Sequence, residues 1–300
     1  MSIDFVIRIS RAAGPMSQTK HQIEALLADA GSHPRHRFGQ NFMIDQNLVR
    51  VVAEAGSLSQ NDLAIEVGPG TGTLTEELLE RAGRVVAVEI DRDLAALLRS
   101  RFADRANFTL IEGDALAGKH ALNPDLLAVV RSCKSAGGSC KLVANLPYNI
   151  ASPLIIELLV AGVDLLAFTV QKEVAERLRG RAGSEDYGTL SVMAQMLADV
   201  ELMRTLPPQS FWPAPKIDSA LVRLTRRDRL GDRAGDFSVF VHSIFSYRRK
   251  MLRKALAQAG YDSEKLLSAT GLDGQRRPEE FTPEELALLY EANGRITTPL

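Results

Sequence analysis

Short apolar runs, many of them β-branched, alternate with amphipathic helical stretches from residue 62 onward. Runs of this length are typical of strands. The stretches between them are long enough to form a helix that brings the chain back, so that the next strand runs parallel to the one before it. Because such units build a sheet that is covered on both sides, the sequence predicts the α/β class, with helices on both faces of the sheet. The predicted strands are residues 63–67, 85–89, 109–111, 142–144, 165–171 and 219–224.

Helical patterns occupy the chain after the last predicted strand. We therefore expect a small all-α C-terminal domain over residues 227–300, preceded by an α/β domain over residues 35–226. Residues 1–34 are predicted to form an N-terminal extension with one short helix, because apolar residues such as Ile23 and Leu27 fall on one helical face.

Composition places the chain among globular proteins. Its 300 residues are 45% hydrophobic and 24% charged, and no apolar run reaches the roughly 18 residues that a membrane-spanning helix requires. The N-terminus lacks the pattern of a signal peptide, so we expect a cytoplasmic protein without membrane contact. Cys133 and Cys140 have no Cys or His partners at zinc-site spacing, and no metal is predicted.

Charge is distributed unevenly along the chain. The net charge of −1 argues against a uniformly basic nucleic-acid-binding protein, yet residues 204–254 contain 12 Lys or Arg against 4 Asp. A local excess of this kind is suited to binding phosphates. A solvated surface is the alternative that charge alone leaves open.

A glycine-rich turn follows the first predicted strand. Gly68, Gly70 and Gly72 have a G-x-G-x-G spacing between a strand and a helix, where the backbone has to approach a ligand closely. A dinucleotide-binding turn has a further glycine at the sixth position, and here that position is Thr73. The turn therefore favours a methyl-donor site over a nicotinamide site.

Polar residues end or directly follow four of the predicted strands: Glu66, Glu89, Asp114 and Asn145. The carboxyl ends of parallel strands meet at one edge of a sheet, and open α/β sheets bind their ligands there. Each acid alone is explained equally well as a helix cap, but four such residues in succession indicate a binding edge. Glu89 follows the glycine turn by about 20 residues, the position of the acid that accepts ribose hydroxyls.

The string Asn145-Leu146-Pro147-Tyr148 has the residue types that an amine-methylating site needs. The exocyclic amine of adenine is a poor nucleophile because its lone pair is delocalised into the ring, so a catalyst has to hold both N–H bonds. The Asn145 side-chain oxygen supplies one acceptor, the Leu146 or Pro147 carbonyl a second, and the Tyr148 ring a stacking surface. The string predicts N-methylation of a base; a turn with a packed tyrosine is the alternative.

Taken together, nine segments resemble the small-subunit ribosomal RNA adenine dimethyltransferases, the KsgA family. The resemblance covers roughly residues 35–260, and its combination of motifs is highly specific. The related enzymes that methylate large-subunit RNA look less similar, because the 171–174, 187–194 and 213–219 blocks together are typical of the small-subunit branch. The segments are 38–42, 66–72, 88–93, 113–115, 145–149, 171–174, 187–194, 213–219 and 248–250.

This resemblance implies a Rossmann-like sheet that binds S-adenosylmethionine, without a metal. Met43 departs from the family, in which leucine is usual, but the change conserves volume. The implied donor-binding residues are Gln40, Asn41, Met43, Gly68, Gly70, Gly72, Glu89, Ile90, Asp114, Ala115 and Asn145.

The resemblance also implies the residues that act on the base. Asn145, Leu146, Pro147 and Tyr148 are expected to orient and stack it, and Glu66 to shape the donor loop. Phe211 is expected to sandwich the base against Tyr148, with a core aromatic as the alternative, and the neighbouring Trp212 offers a further stacking surface. The implied RNA-binding residues are Arg248, Arg249, Lys250 and Arg253, although a solvated helix face explains them as well.

We therefore predict an enzyme that dimethylates N6 of two adjacent adenines in small-subunit (16S) ribosomal RNA with S-adenosylmethionine. Its expected partner is the immature small subunit, and a monomer is expected. One rival is an assembly factor for which binding matters more than methylation. A second rival, a nicotinamide dehydrogenase, is disfavoured by Thr73 and by the adenine-type pocket.

Overall fold

A seven-stranded sheet flanked by helices forms the centre of the protein. The computed structural model describes residues 18–35, 39–118, 121–227 and 229–297, without the side chains of 295–297. Residues 1–17 of the expected N-terminal extension, Phe38 of the 38–42 segment and residues 298–300 lie outside this part. The elements are α1 (Lys20–Asp29), β1 (Phe42–Met43), α2 (Gln46–Ala55), β2 (Asp62–Val67), α3 (Thr73–Arg81), β3 (Arg84–Glu89), α4 (Arg92–Arg101), β4 (Phe108–Glu112), β5 (Leu116–Gly118), β6 (Ala121–Leu122), α5 (Pro124–Ser135), β7 (Ser139–Asn145), α6 (Ala151–Val160), β8 (Leu165–Gln171), α7 (Lys172–Leu178), α8 (Thr189–Leu197), β9 (Ala198–Leu206), β10 (Phe211–Trp212), β11 (Ser219–Arg226), α9 (Ala234–Phe245), α10 (Leu252–Gln258), α11 (Ser263–Thr270) and α12 (Pro283–Thr297).

The sheet has the strand order β4-β3-β2-β7-β8-β11-β9. Strands β4, β3, β2, β7 and β8 are parallel, whereas β11 runs antiparallel between β8 and β9. The chain proceeds outward from β2 to β4 and then returns to start β7 on the other side of β2. This reversal of strand order is where doubly wound sheets bind ligands, and Glu66 and Asn145 lie at the carboxyl ends of the two strands beside it.

Both faces of the sheet are covered, as the sequence predicts. Successive residues of β2 point to opposite faces: Leu63, Ile65 and Val67 join the core under α5, α6 and α8, while Ala64 joins the core under α2, α3 and α4. Parallel strands that are buried on both faces read as continuous apolar runs, which is why the strand predictions succeeded. The α/β class is confirmed.

The C-terminal region is helical, as predicted, and its core is continuous with that of the sheet. Phe237 and Phe240 of α9, Leu256 of α10 and Leu289 of α12 belong to the same buried cluster as Leu154 of α6. Shared burial of this kind holds the C-terminal helices against the α/β part.

Five of the strands in the described part of the chain were not predicted. Four of them, β1, β5, β6 and β10, are only two or three residues long, and the fifth, β9, pairs with β11 at the outer edge of the sheet. Arg248, Arg249 and Lys250 do not lie on a helix face, because residues 247–250 form a turn after α9 and α10 starts at Leu252. Within the ranges that the structure describes, no helix is both long and apolar enough to cross a bilayer.

Candidate active site

A cleft opens at the carboxyl ends of β2, β3, β4 and β7. Its volume is about 920 Å³, including the solvent at its mouth, and five chain segments separated in sequence contribute to its wall. Gly72, Leu146, Tyr148 and Phe211 are not among the residues of its wall. The predicted site residues that line it are Gln40, Asn41, Met43, Glu66, Gly68, Gly70, Glu89, Ile90, Asp114, Ala115, Asn145 and Pro147.

The glycine turn between β2 and α3 has a backbone that only glycine adopts without strain. Gly68, Gly70 and Gly72 have φ values of 72°, 60° and 86°, in the left-handed region. A Cβ at Gly70 would lie 2.9 Å from the Phe42 ring, and one at Gly68 would lie 3.0 Å from Cγ of Pro147. The turn therefore touches both the 39–43 segment and the corner after β7.

Glu89 fixes this turn from the end of β3. Its buried carboxylate accepts the backbone N–H of Gly70 at 3.2 Å and that of Asp91 at 2.9 Å. Burial raises the pKa of Glu89 to about 7, against the lowering effect of these hydrogen bonds. An acceptor that lies in the cleft and is anchored by two backbone amides suits the hydroxyl groups of a nucleoside.

Glu66 lies on the neighbouring strand and is only 2% exposed. Its Oε2 accepts the Thr75 hydroxyl at 2.6 Å. Burial raises the pKa of Glu66 to about 8, against the lowering effect of the Thr75 hydrogen bond and with a smaller upward contribution from the nearby charge of Glu89. Two buried carboxyl groups on adjacent strands make this wall of the cleft a suitable environment for a cationic ligand.

The raised pKa of Glu66 predicts a pH-dependent stability. Because the folded ligand-free protein keeps a proton on Glu66 that the unfolded chain releases near its ordinary pKa, the free energy of unfolding falls as pH rises from about 4.5 to about 8. Between about pH 5.5 and pH 8.5, we expect the wild type to lose on the order of 3 kcal/mol more than Glu66→Gln. Urea unfolding at both pH values measures this difference. Glu185→Gln, at an exposed site, is the control, and parallel pH profiles of wild type and Glu66→Gln would contradict the prediction.

The 39–43 segment is anchored through its side chains. Gln40 accepts the Arg35 backbone N–H at 2.8 Å and donates to Asp91 at 3.2 Å, and Arg35 also pairs with Asp91 and Asp93. The polar atoms of Gln40 are thus held by the protein. Its contribution to the cleft is to place the following residue, Asn41.

Asn145 ends β7 with both ends of its side-chain amide held. Its Nδ2 donates to the backbone carbonyl of Asn41 at 2.6 Å, and its Oδ1 accepts the hydroxyl of Thr169. A carbonyl cannot donate, so the Asn41 contact fixes which end of the amide carries the oxygen. Oδ1 keeps a second lone pair, which is available to an amine.

Thr169 is a residue that the sequence reasoning missed. It is fully buried on β8, directly opposite Asn145 in the β7–β8 register. A threonine in the otherwise apolar run of β8 was the available signal, but its partner depends on the register between two strands. We expect it to act as a positioning residue for the Asn145 amide.

Thr169→Val removes this hydroxyl at nearly constant volume. We expect kcat for methyl transfer to fall about 5-fold, the effect of losing one hydrogen bond of about 1 kcal/mol, with little change in the KM for S-adenosylmethionine. Thr169→Ser keeps the hydroxyl and is expected to restore kcat. Steady-state kinetics of the three proteins test this, and equal kcat values for wild type and Thr169→Val would refute it.

The corner after Asn145 is also fixed by hydrogen bonds. The Leu146 N–H donates to the Thr169 carbonyl at 3.2 Å, and the Pro147 carbonyl accepts the Ile150 N–H at 3.2 Å. The sequence left open whether Leu146 or Pro147 supplies the second acceptor. The Pro147 carbonyl keeps a second lone pair beside this partner, as Oδ1 of Asn145 does, so the Leu146 and Pro147 carbonyls both stay candidates for the second acceptor.

Ser219, which holds Tyr148, is a second residue that the sequence reasoning missed. The Tyr148 hydroxyl forms a 2.7 Å hydrogen bond with the hydroxyl of Ser219, which is buried at the start of β11. Burial raises the pKa of the Tyr148 hydroxyl, so it stays protonated at neutral pH. The ring is half-buried beside the cleft, which leaves part of it accessible.

Phe211 and Trp212 do not have the positions that the sequence suggested. Phe211 is 2% exposed and belongs to the core with Met43 and Leu48, so in this structure it is the core aromatic of the alternative reading. The reason is the pairing of β10 with β1, which places Phe211 opposite Met43. Trp212 packs 6.3 Å from Phe42 between ring centroids. A base would reach Phe211 only after this segment moved.

The predicted RNA-binding residues lie in the turn between α9 and α10 and at the start of α10. Arg248, Arg249 and Lys250 are exposed in the turn between α9 and α10, and Arg253 on α10 is exposed with Glu264 at 3.5 Å. They form an accessible cationic surface. Within the described residues, no group of three or more His, Cys, Asp or Glu side chains is arranged to hold a metal.

Comparison with known proteins identifies the family. The model of the ribosomal RNA adenine dimethylase family matches residues 31–292. The chain belongs to this family. The recognition made from the motifs is thereby confirmed, and so is the predicted chemistry, adenine methylation of ribosomal RNA with S-adenosylmethionine.

Two curated relatives match almost end to end, and both are named ribosomal RNA small subunit methyltransferase A. The protein from Moorella thermoacetica is 38% identical over 271 residues, covering 88% of this chain and 93% of the relative. The protein from Magnetococcus marinus is 40% identical over 274 residues, covering 89% and 95%. Each match therefore extends over most of this chain and nearly all of the relative.

Two solved structures share the fold. A dimethyladenosine transferase from Plasmodium falciparum superposes with a TM-score of 0.66 at 21% identity, covering 85% of this chain and 98% of that one. The 23S ribosomal RNA methyltransferase ErmE superposes with a TM-score of 0.57 at 27% identity, covering 85% and 100%. Both agree with the predicted methyltransferase sheet.

Proposed function

We propose that this protein dimethylates N6 of two adjacent adenines in small-subunit ribosomal RNA during small-subunit biogenesis. One observation carries the proposal: the glycine turn of the cleft touches the corner that carries Asn145. Pro147 contacts Gly68, and the Asn145 amide donates to Asn41 in the segment beside the turn. The names of the curated relatives support the small subunit as the source of the RNA.

The cleft fits S-adenosylmethionine as the methyl donor. The positive φ values of Gly68 and Gly70 let the turn pass close to Pro147 and Phe42 while its backbone, without side chains, lines the cleft. Glu89 is an anchored acceptor for ribose hydroxyls, Asp114 lines the cleft at the end of β4, and exposed Ile90 offers an apolar surface to the adenine ring. When bound, the donor supplies an electrophilic methyl group.

The corner after β7 is suited to hold the adenine amine. Oδ1 of Asn145 and the carbonyl of Leu146 or Pro147 accept its two N–H bonds, which directs the nitrogen lone pair toward the cleft. Tyr148, held by Ser219, supports the ring by stacking. Positioning of this type supplies about 7 to 11 kcal/mol at best. The base has to leave its helix to reach this position.

The basic turn between α9 and α10 is proposed to contact RNA phosphates. Its three cations, Arg248, Arg249 and Lys250, are exposed and adjacent, and neutralised phosphates release counterions. Replacing all three by Ala is expected to reduce the slope of log binding constant against log salt by about two, with unchanged affinity for S-adenosylmethionine. Filter binding to small subunits over a salt series tests this. An unchanged slope would place the RNA surface elsewhere.

We also propose the organisation that accompanies this activity. Residues 35–226 carry the donor and base sites, and residues 227–300 contribute RNA contacts. The protein acts as a monomer in the cytoplasm, on immature small subunits. The helical C-terminal region, with its exposed cations, supports this division.

Mass spectrometry of ribosomal RNA tests the proposed function. Small subunits that lack adenine dimethylation and, separately, large subunits are incubated with the protein and S-adenosylmethionine, and the RNA is then digested to nucleosides and to fragments. We expect N6,N6-dimethyladenosine in one fragment that contains two adjacent modified adenines. Binding to the subunit without any methylation would instead favour an assembly factor, and methylation of large-subunit RNA alone would contradict the proposed substrate.

A further inference from the structure

Helix α1 covers the outside of the donor cleft. It lies before residue 31, where the family match begins. Its Ile23 and Leu27 are buried in a small cluster with Phe42 and Leu94, and these last two residues line the cleft on their other side. The wall of the cleft is thus one side chain thick at this point, and α1 is the layer behind it.

Gln18, two residues before α1, is joined to the glycine turn by a pair of hydrogen bonds. Its Oε1 accepts the Thr71 hydroxyl at 2.6 Å, and its Nε2 donates to the Thr71 carbonyl at 3.3 Å. Gln18 is 4% exposed and Thr71 1% exposed. Since Thr71 lines the cleft within the turn, Gln18 fixes the position of the donor turn from behind.

Arg101 strengthens the same anchor. Its Nη1 donates to the Thr71 carbonyl, and its Nη2 pairs with Glu76 of α3. The Thr71 carbonyl therefore accepts one bond from α4 and one from the segment that leads into α1. Losing the Gln18 side chain would leave the Thr71 hydroxyl without its acceptor in a buried place.

The helix also contacts the segment that carries Phe211. Trp212 packs against the Ile23 and Leu27 cluster, and the ammonium of Lys20 lies 5.8 Å from the centre of its ring. Strand β10, which contains Trp212, pairs with β1. Helix α1 is therefore in contact with β1 and β10, and Gln18 just before it is in contact with the glycine turn.

We propose that α1, with Gln18 as its positioning residue, braces the donor turn, so that donor binding and docking of α1 stabilise each other. This inference rests on the proposed donor site. Any effect of α1 on donor affinity has an equal reciprocal effect of the donor on α1. The proposal gives the segment outside the family match a specific task.

Gln18→Ala and hydrogen exchange test the brace together. By calorimetry, we expect Gln18→Ala to bind S-adenosylhomocysteine about 10-fold more weakly than the wild type, and His21→Ala, at an exposed position of the same helix, to bind it as the wild type does. In the wild type, S-adenosylhomocysteine is expected to slow exchange of the α1 amides. This second measurement needs no variant, so it decides the proposal even if Gln18→Ala fails to fold.

The outcomes separate the brace from the donor site. If the wild type binds S-adenosylhomocysteine, but folded Gln18→Ala binds it within about twofold of the wild type, the brace is refuted and the proposed function stands. Unchanged α1 exchange on binding refutes the brace in the same way. If the wild type does not bind S-adenosylhomocysteine at all, the donor site itself is refuted, and the brace with it.

Discussion

Replacing Asn145 by Ala is expected to lower kcat for methyl transfer at least about 1,000-fold, while the affinity for S-adenosylmethionine stays within about tenfold of the wild type. The variant loses the Oδ1 acceptor whose direction is set by Asn41 and Thr169. A preorganised hydrogen-bond partner in a partly buried site is worth a factor of about 100 to 1,000. Loss of the amide also frees the corner from Asn41, which adds misplacement of the base.

Single-turnover methyl transfer and calorimetric titration of the donor separate these two quantities. Asn61→Ala provides the matched control, because it makes the same substitution at an exposed turn before β2. If Asn145→Ala kept kcat within about tenfold of the wild type, the Asn145 oxygen would not be the acceptor for the amine. A comparable loss of donor affinity would show that Asn145 serves mainly the donor.

Replacing Glu89 by Gln is expected to weaken S-adenosylmethionine binding at least about 100-fold. The Glu89 carboxylate accepts backbone amides of Gly70 and Asp91, and a Gln side chain has only one oxygen with which to replace two acceptors. Its NH2 group would face one of these N–H donors. Hydrogen bonds to a charged group contribute about 1.5 to 3 kcal/mol each. Without the negative charge of Glu89, the hydrogen bonds that it accepts from two ribose hydroxyls are weakened, which accounts for the predicted loss of affinity of about 100-fold.

Glu112→Gln is the matched control for this variant. Glu112 ends β4 in register with Glu89, but it is exposed and pairs with Arg99 outside the cleft. The same substitution one strand away should leave donor affinity unchanged. Calorimetry of both variants decides the matter: a Glu89→Gln protein that binds the donor within about threefold of the wild type would remove Glu89 from the donor site.

The sheet and the edge that carries the site were predictable because their signals are local. The inner parallel strands β2, β3, β7 and β8 are largely apolar and buried on both faces, and a polar residue lies at or near the carboxyl end of each, where its place at the sheet edge follows from the strand direction. Strand β9 had no such signal. It is an edge strand whose outer residues, such as Met203, are exposed, so it lacks the continuous apolar run.

The partners of the site residues were not predictable, because they depend on register and packing. Thr169 meets Asn145 through the alignment of β7 with β8, and Gln18 meets Thr71 across 53 residues of sequence. Neither relation leaves a pattern in the sequence. The same is true of Phe211, whose burial follows from the pairing of β10 with β1.

The close approach of Gly68 to the Pro147 ring has a consequence for how the reaction distance is set. A methyl transfer requires the nitrogen and the carbon to meet at a defined separation, and here the two half-sites abut through a bare main-chain methylene and a rigid pyrrolidine. Neither surface has a rotatable side chain that adapts to a change nearby. The distance between the adenine nitrogen and the methyl carbon is therefore set by the rigid backbone of Gly68 and the ring of Pro147. Single replacements elsewhere in the wall of the cleft should change the affinity for the donor more readily than they change this distance.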